Sequence, residues 1–177
     1  MDIISLPQKD IKEGTMEKIK VIHYINQFFA QIGGEEKADI EPMLKEGIVG
    51  PGIALKSGLG EDYEIAATVI CGDTYFGGNI EKATKTIIEM IRPYKPDLFV
   101  AGPAFNAGRY GVACGAIAKA VEKEFNIPVI TGMYKENPGA DMFKKDIYII
   151  ETVNSAADMR KAMPKICKLA DFRHCFS

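Results

Sequence analysis

Apolar residues fall along the chain in two alternating patterns. Five short runs are nearly continuous and rich in β-branched side chains: Lys20 to Ile25, Ile65 to Cys71, Leu98 to Ala101, Pro128 to Thr131 and Ile147 to Ile150. Runs of this kind suit strands covered on both faces, as in a parallel sheet. Between them the apolar positions recur at helical spacing. Asn79 is a capping residue followed by Ile80, Ala83, Ile87, Ile88 and Ile91 on one face, with Pro93 as the stop. A second helix is predicted from about Arg109 to Phe125, striped by Cys114, Ile117, Val121 and Phe125. A third opens at Ser155, where Ser155 to Asp158 has the spacing of a capping box, and carries Met159, Ala162, Ile166 and Leu169 inward. Pro164 predicts a kink or a split in it. A shorter helix is predicted from Pro51 to Gly58 or Gly60.

Strand–helix alternation predicts an α/β fold, a three-layer αβα sandwich with a mainly parallel, about five-stranded sheet of Rossmann- or flavodoxin-like type and right-handed crossovers. Residues 18–170 read as one domain. Residues 1–17 read as an N-terminal extension, and 171–177, the string DFRHCFS, as an irregular tail at a truncation point. The connection from Asn26 to about Gly50 reads as a long irregular loop, the kind that is functional or mobile in compact domains.

Composition narrows the function classes. An apolar fraction of 47% excludes a disordered chain. With 22 Lys and Arg against 24 Asp and Glu there is no electrostatic handle for nucleic acid or an anionic membrane. No run reaches the roughly 18 apolar residues of a membrane span. The four cysteines form no C-x-x-C, and His23 and His174 stand far apart, so neither a metal site nor a thioredoxin-type pair is expected. The start MDIISLPQKDIKEGT has no export signature, and reduced thiols in the cytoplasm are the simplest reading.

In open parallel sheets, ligands bind beyond the carboxyl ends of the strands. The segments after the five runs are rich in Gly, Asn, Pro and polar residues, and would converge on one rim. Each piece also has a bland reading. Asn79 and Ser155 serve as helix caps, glycines 102, 108 and 111 as tight turns, and Cys114 as core. Neither G-x-x-x-x-G-K-[ST] nor G-x-G-x-x-G after the first strand occurs. Cys71, at a strand end beside Gly72 and Asp73, is a weak nucleophile candidate without a partner histidine. Arg109 stands near a helix N-terminus, where a guanidinium and the backbone dipole together suit a carboxylate. A salt bridge to Asp73 or Glu136 explains it equally well.

At the rim the strings become specific. VIHYINQFFAQIGGEEKADI, GIVGPGIAL, TVICGDTYFGGN, PDLFVAGPAFNAGRYGVACGAIAKAVE, IPVITGMYKENPGADMFKKDIYII and NSAADMRKA resemble the N-terminal portion of the selenoprotein subunit of protein B of glycine, sarcosine and betaine reductases. The resemblance runs from about Ile19 to Ala170. It implies reductive cleavage of a C–N bond in an amino-acid-like substrate during amino-acid fermentation. By the same resemblance, pyruvoyl-containing subunits of protein B engage the amine, and a selenocysteine passes the carboxymethyl group to selenoprotein A. An amine is a poor leaving group, so a carbonyl electron sink followed by a soft nucleophile divides one hard step into easier ones. Protein C and thioredoxin-type dithiols complete the cycle.

The family's selenocysteine lies in a C-terminal part with no counterpart in this sequence, so the resemblance places both the pyruvoyl group and the selenocysteine outside it. Reductase activity by this chain alone is not expected. What carries over is the rim. Arg109 and Asn106 are the candidate carboxylate anchors, and Asp73 and Glu136 the candidate ammonium partners. Tyr75, Tyr110 and Tyr134 are candidate cation–π walls, with Asn137 beside them. Asn26, Gln27, Glu35 and Glu36 are assigned to a loop that closes over the site or docks a partner. Two alternatives stand beside this reading: a docking module with no substrate contact, and a free-standing enzyme using Cys71.

Overall fold

A computed structural model describes residues 16–177, so residues 1–15 of the expected extension lie outside the described residues. The strands are β1 (Ile19–Asn26), β2 (Met43–Glu46), β3 (Tyr63–Cys71), β4 (Leu98–Phe105), β5 (Val129–Tyr134) and β6 (Tyr148–Thr152). The helices are α1 (Gly52–Leu59), α2 (Asp73–Gly78), α3 (Ile80–Ile91), α4 (Gly108–Phe125), α5 (Pro138–Phe143) and α6 (Met159–Cys175). They build one sheet in the order β2-β3-β1-β4-β5-β6, parallel throughout except that β2 runs antiparallel to β3.

The alternation along β1 explains why the strand runs look continuously apolar. Ile22 and Tyr24 face one core with Phe76, Ala83, Ile87 and Cys114, from α2, α3 and α4. Val21 faces the other, with Leu55 of α1 and Met163, Ile166 and Cys167 of α6. Both sides of the sheet are roofed by helices, so the central strands β1, β4 and β5 bury odd and even positions alike. The result is the expected αβα layering.

Three expectations are corrected. The sheet has six strands rather than five, because Met43–Glu46 pairs with Ala67–Ile70 at an edge. This strand is short, charged and largely exposed, so it carries no apolar signature, and its charges blunt a free edge. Residues 171–175 are helical rather than irregular, since α6 continues to Cys175. Tertiary contacts hold that last turn: Ala170 is buried, Tyr63 Oη donates to Asp171 at 2.6 Å, and the Arg173 guanidinium lies 4.2 Å from the centre of the Tyr148 ring. Pro164 does not split α6, which runs as one helix through it although the proline lies inside the helix and removes one backbone donor.

Candidate functional site

The connection from β1 leads to β3 on one side, and the chain then crosses back to β4 on the other. A crevice therefore opens where β1 and β4 part at their carboxyl ends. A cavity of about 390 Å³ occupies it, within the range that holds small ligands. Its walls come from the segments after β1, β3, β4 and β6, so distant parts of the sequence meet there.

Asp73 is the most constrained charge in the cavity. It opens α2, a helix whose glycines give it little intrinsic tendency to form. The helix is held by the loop after β1: the Ala38 carbonyl accepts from the N–H groups of Thr74 and Tyr75, and Ile40 O accepts from Gly72 N–H. Asn26 Nδ2 donates to Asp73 Oδ2 at 2.9 Å, and the Asp73 N–H donates to Gln27 Oε1 at 3.2 Å. Asp73 is 7% exposed, and its other oxygen, Oδ1, has no hydrogen-bond partner. Burial raises its pKa above the ordinary carboxylate range, against the opposing pull of the Asn26 hydrogen bond and the Arg109 charge.

Arg109 is the second residue of α4, and its partner is neither Asp73 nor Glu136. Its Nη2 lies 2.7 Å from both carboxylate oxygens of Glu35, and its Nη1 donates to Thr74 Oγ1. Glu35 sits on a single 3-10 turn, Glu35–Lys37, and reaches across the cavity mouth to make the pair. The guanidinium is thereby neutralised, whereas Asp73 is not.

The other expected residues divide sharply. Asn26, Gln27, Glu35, Asn106 and Arg109 line the cavity with Asp73. Asn26 and Gln27 are fixed floor rather than a lid: both are buried, and Asn26 Oδ1 accepts from Phe29 N–H at 3.0 Å. Glu36 turns away and accepts from Gly34 N–H at 3.0 Å. Tyr75, Tyr134 and Glu136 stand outside the cavity lining, Glu136 exposed on the turn after β5. Tyr110 is a core residue, its ring 6.4 Å from Tyr24 and 5.7 Å from Phe29. Asn137 is also inside. Its Nδ2 donates to the carbonyls of Phe105 and Ala107, at 2.9 and 3.1 Å, and its Oδ1 accepts from Gly139 N–H at 2.9 Å. It braces the β4–α4 segment that carries Asn106, so its effect on the cavity is indirect.

Cys71 is fully buried at the end of β3, and burial pushes its thiol up to about 12, the opposite of what a nucleophile needs. Cys114 is core, as its helical spacing indicated. Among the described residues only Cys175 exposes its sulfur.

Sequence reasoning missed Thr74, which helps to hold Arg109, and the two phenylalanines after β1. Phe29 forms part of the cavity wall and packs on Tyr110. Phe28 is 60% exposed and also borders a neighbouring, largely apolar groove of about 800 Å³ that reaches Ile53 and Ala54 on α1. Two adjacent aromatics in a loop otherwise rich in Gly and polar residues were the available signal.

The family model for glycine/sarcosine/betaine reductase selenoprotein B matches residues 18–173. The chain is 66% identical over 154 residues to the sarcosine reductase complex component B subunit beta of Peptoclostridium acidaminophilum, covering 87% of this chain and 35% of that protein. It is 60% identical over 154 residues to the glycine reductase complex component B subunit gamma of Carboxydothermus hydrogenoformans, again covering 87% and 35%. The betaine reductase complex component B subunit beta of Peptoclostridium acidaminophilum is 47% identical over 152 residues, covering 86% and 35%. The chain thus spans about a third of the length of these curated relatives. No solved structure matches it.

Proposed function

The chain belongs to the glycine/sarcosine/betaine reductase selenoprotein B family, and from that premise we propose that it forms the substrate-holding domain of a component B, binding a small amino acid for reductive C–N cleavage. The observation that carries this reading is the cavity at the β1/β4 crevice, where Asp73, Asn26, Asn106 and Arg109 converge from three separate rim segments. The parallel strands, taken in chain order, follow the 2-1-3-4-5 sequence of a flavodoxin-like sheet, whose ligands bind at this crevice. In this reading the domain contributes binding and orientation. The carbonyl electron sink and the selenol act from pyruvoyl-containing subunits and from residues outside this sequence, with selenoprotein A as acceptor. The buried thiols of Cys71, Cys114 and Cys167 fit that division, since burial raises the pKa of each.

The direct test is a titration of the isotopically labelled chain with glycine and with sarcosine, followed by NMR. Shifts confined to the side-chain amides of Asn26, Gln27 and Asn106 are expected. Unchanged spectra at about 10 mM ligand would exclude a substrate-holding role at any useful affinity.

A docking module is the second reading, favoured by exposed Phe28 and Ile53 beside the apolar groove. On this reading Phe28→Ser abolishes association with a pyruvoyl-containing subunit while amino acids leave the spectrum unmoved.

A further inference from the structure

The two edges of the sheet differ in kind. β2 is short and charged, which discourages a further strand from pairing with it. β6 reads Tyr-Ile-Ile-Glu-Thr, with Glu151 as its one charge. Its ladder partners all lie on β5, from Ile130 to Tyr134, and among the described residues no other backbone–backbone hydrogen bond reaches residues 148–152. The outer N–H and C=O groups of such an edge are a template for another strand. Tyr148 and, just beyond the strand, Val153 are exposed. Beside β6, on the α6 side of the sheet, lies a groove of about 360 Å³ lined by Ile150, Leu169, Phe172, Lys165 and Lys168. Phe172 is itself exposed, its ring centre 4.8 Å from that of the exposed Phe176.

Charge around the groove narrows what fits it. The whole chain has a net charge of −2, yet α6 carries five cationic side chains, Arg160, Lys161, Lys165, Lys168 and Arg173, against one carboxylate, Asp171. Lys161 pairs with Asp158 and Arg173 with Glu122, whereas Lys165 and Lys168 have no ion-pair partner among the described residues. A second copy pairing antiparallel through β6 keeps α6 on the same face of the joined sheet and brings like lysines together, which costs affinity. An acidic partner gains what a second copy loses. We propose that β6 accepts an extended acidic segment of a partner polypeptide as a seventh strand, with apolar side chains in the groove and carboxylates on Lys165 and Lys168. Backbone hydrogen bonds along the outer edge supply affinity, and the groove with its two lysines supplies selectivity. β6 stands two strands beyond β4, so docking here is tested separately from ligand binding in the cavity.

The experiment titrates the isotopically labelled whole chain with three synthetic peptides, followed by amide NMR. EEVTVEE, when extended, turns two valines flanked by glutamates to one face. KKVTVKK carries lysines in place of the glutamates. The third peptide is EEVTVEE methylated at its backbone nitrogens, which removes the donors a new strand needs. Expected is binding of EEVTVEE with a Kd below about 1 mM and amide shifts centred on residues 148–152, binding of KKVTVKK at least about tenfold weaker, and none of the methylated form. Lys165 and Lys168 are both exposed, so the double variant Lys165→Glu, Lys168→Glu keeps the fold and is expected to reverse the order of the two charged peptides. The proposal is overturned if EEVTVEE at about 5 mM leaves residues 148–152 unmoved. It is overturned equally by equal binding of the two charged peptides, undiminished binding of the methylated form, or an unchanged order in the variant. A chain that sediments by itself as a dimer, with the outward amides of β6 protected from exchange, makes a second copy the occupant and overturns it too.

Discussion

Arg109 and Glu35 lie 74 residues apart in the sequence and meet across the cavity mouth with Nη2 2.7 Å from both carboxylate oxygens. The pair is half open to solvent, and exposed pairs contribute little to stability. On the substrate-holding reading proposed above its effect would be on the ligand, since Glu35 occupies the place a substrate carboxylate would take on the guanidinium. Glu35→Gln is expected to shift the unfolding midpoint by less than about 2 °C while tightening sarcosine binding several-fold. Calorimetric melting and titration of the same variant check both parts. Weaker binding would show that Glu35 serves the ligand directly.

Asn137 holds three backbone groups from a fully buried position. Asn137→Ala leaves two carbonyls and one N–H without partners, and is expected to cost about 2–4 kcal/mol in chemical denaturation. Asn137→Asp is expected to cost at least as much, because a carboxylate has no donor for the carbonyls of Phe105 and Ala107. Gly111 is packed against the Asn137 amide so closely that a Cβ would overlap it, so Gly111→Ala is expected to resemble Asn137→Ala.

His23 is buried, its Nε2 lies 2.8 Å from the Gly102 carbonyl oxygen, and burial lowers its pKa from 6.5 to about 4. Between those values the unfolded chain binds the proton that the folded chain refuses. Stability therefore falls as the pH drops through that window, by on the order of 3 kcal/mol from this group. Asp73 acts in the opposite sense, because a raised carboxylate pKa makes the fold gain stability as the pH falls through it. Denaturation curves recorded from pH 7 to pH 4 are expected to lose most of their acid slope in His23→Gln. An unchanged slope would place the proton uptake elsewhere.

Of the four cysteines, only Cys175 is exposed. Iodoacetamide applied to the folded chain at pH 7.5 is expected to label Cys175 alone, with Cys71, Cys114 and Cys167 reacting after denaturation. Peptide mass spectrometry reads the sites. Rapid native labelling of Cys71 would revive the nucleophile alternative.

Much of the fold was legible because both faces of the sheet are buried. The strand runs and the α3 and α4 stripes reflect burial, and burial selects apolar side chains at fixed periods. Among the strands and α-helices, β2, α2 and α5 escaped, and the first two are local structures made by their neighbours. β2 exists because β3 offers an edge, and α2 because Ala38 and Ile40 supply its first partners. The helical turn at 171–175 likewise depends on Tyr63 and Tyr148, which no local pattern in DFRHCFS reveals.

The candidate site separates along the same line. The sequence by itself determined the layered α/β class, the rim beyond the strands, the family, and the charged residues available there, because these follow from residue types and periodicities along one dimension. The tertiary structure alone decided which of them face one another. It sent Tyr110 and Asn137 inward, left Glu136 outside the cavity, gave Arg109 to Glu35, and left one oxygen of Asp73 without a donor. Pairing is a property of distances between segments far apart in the chain, and those distances exist only once the sheet has brought the loops together.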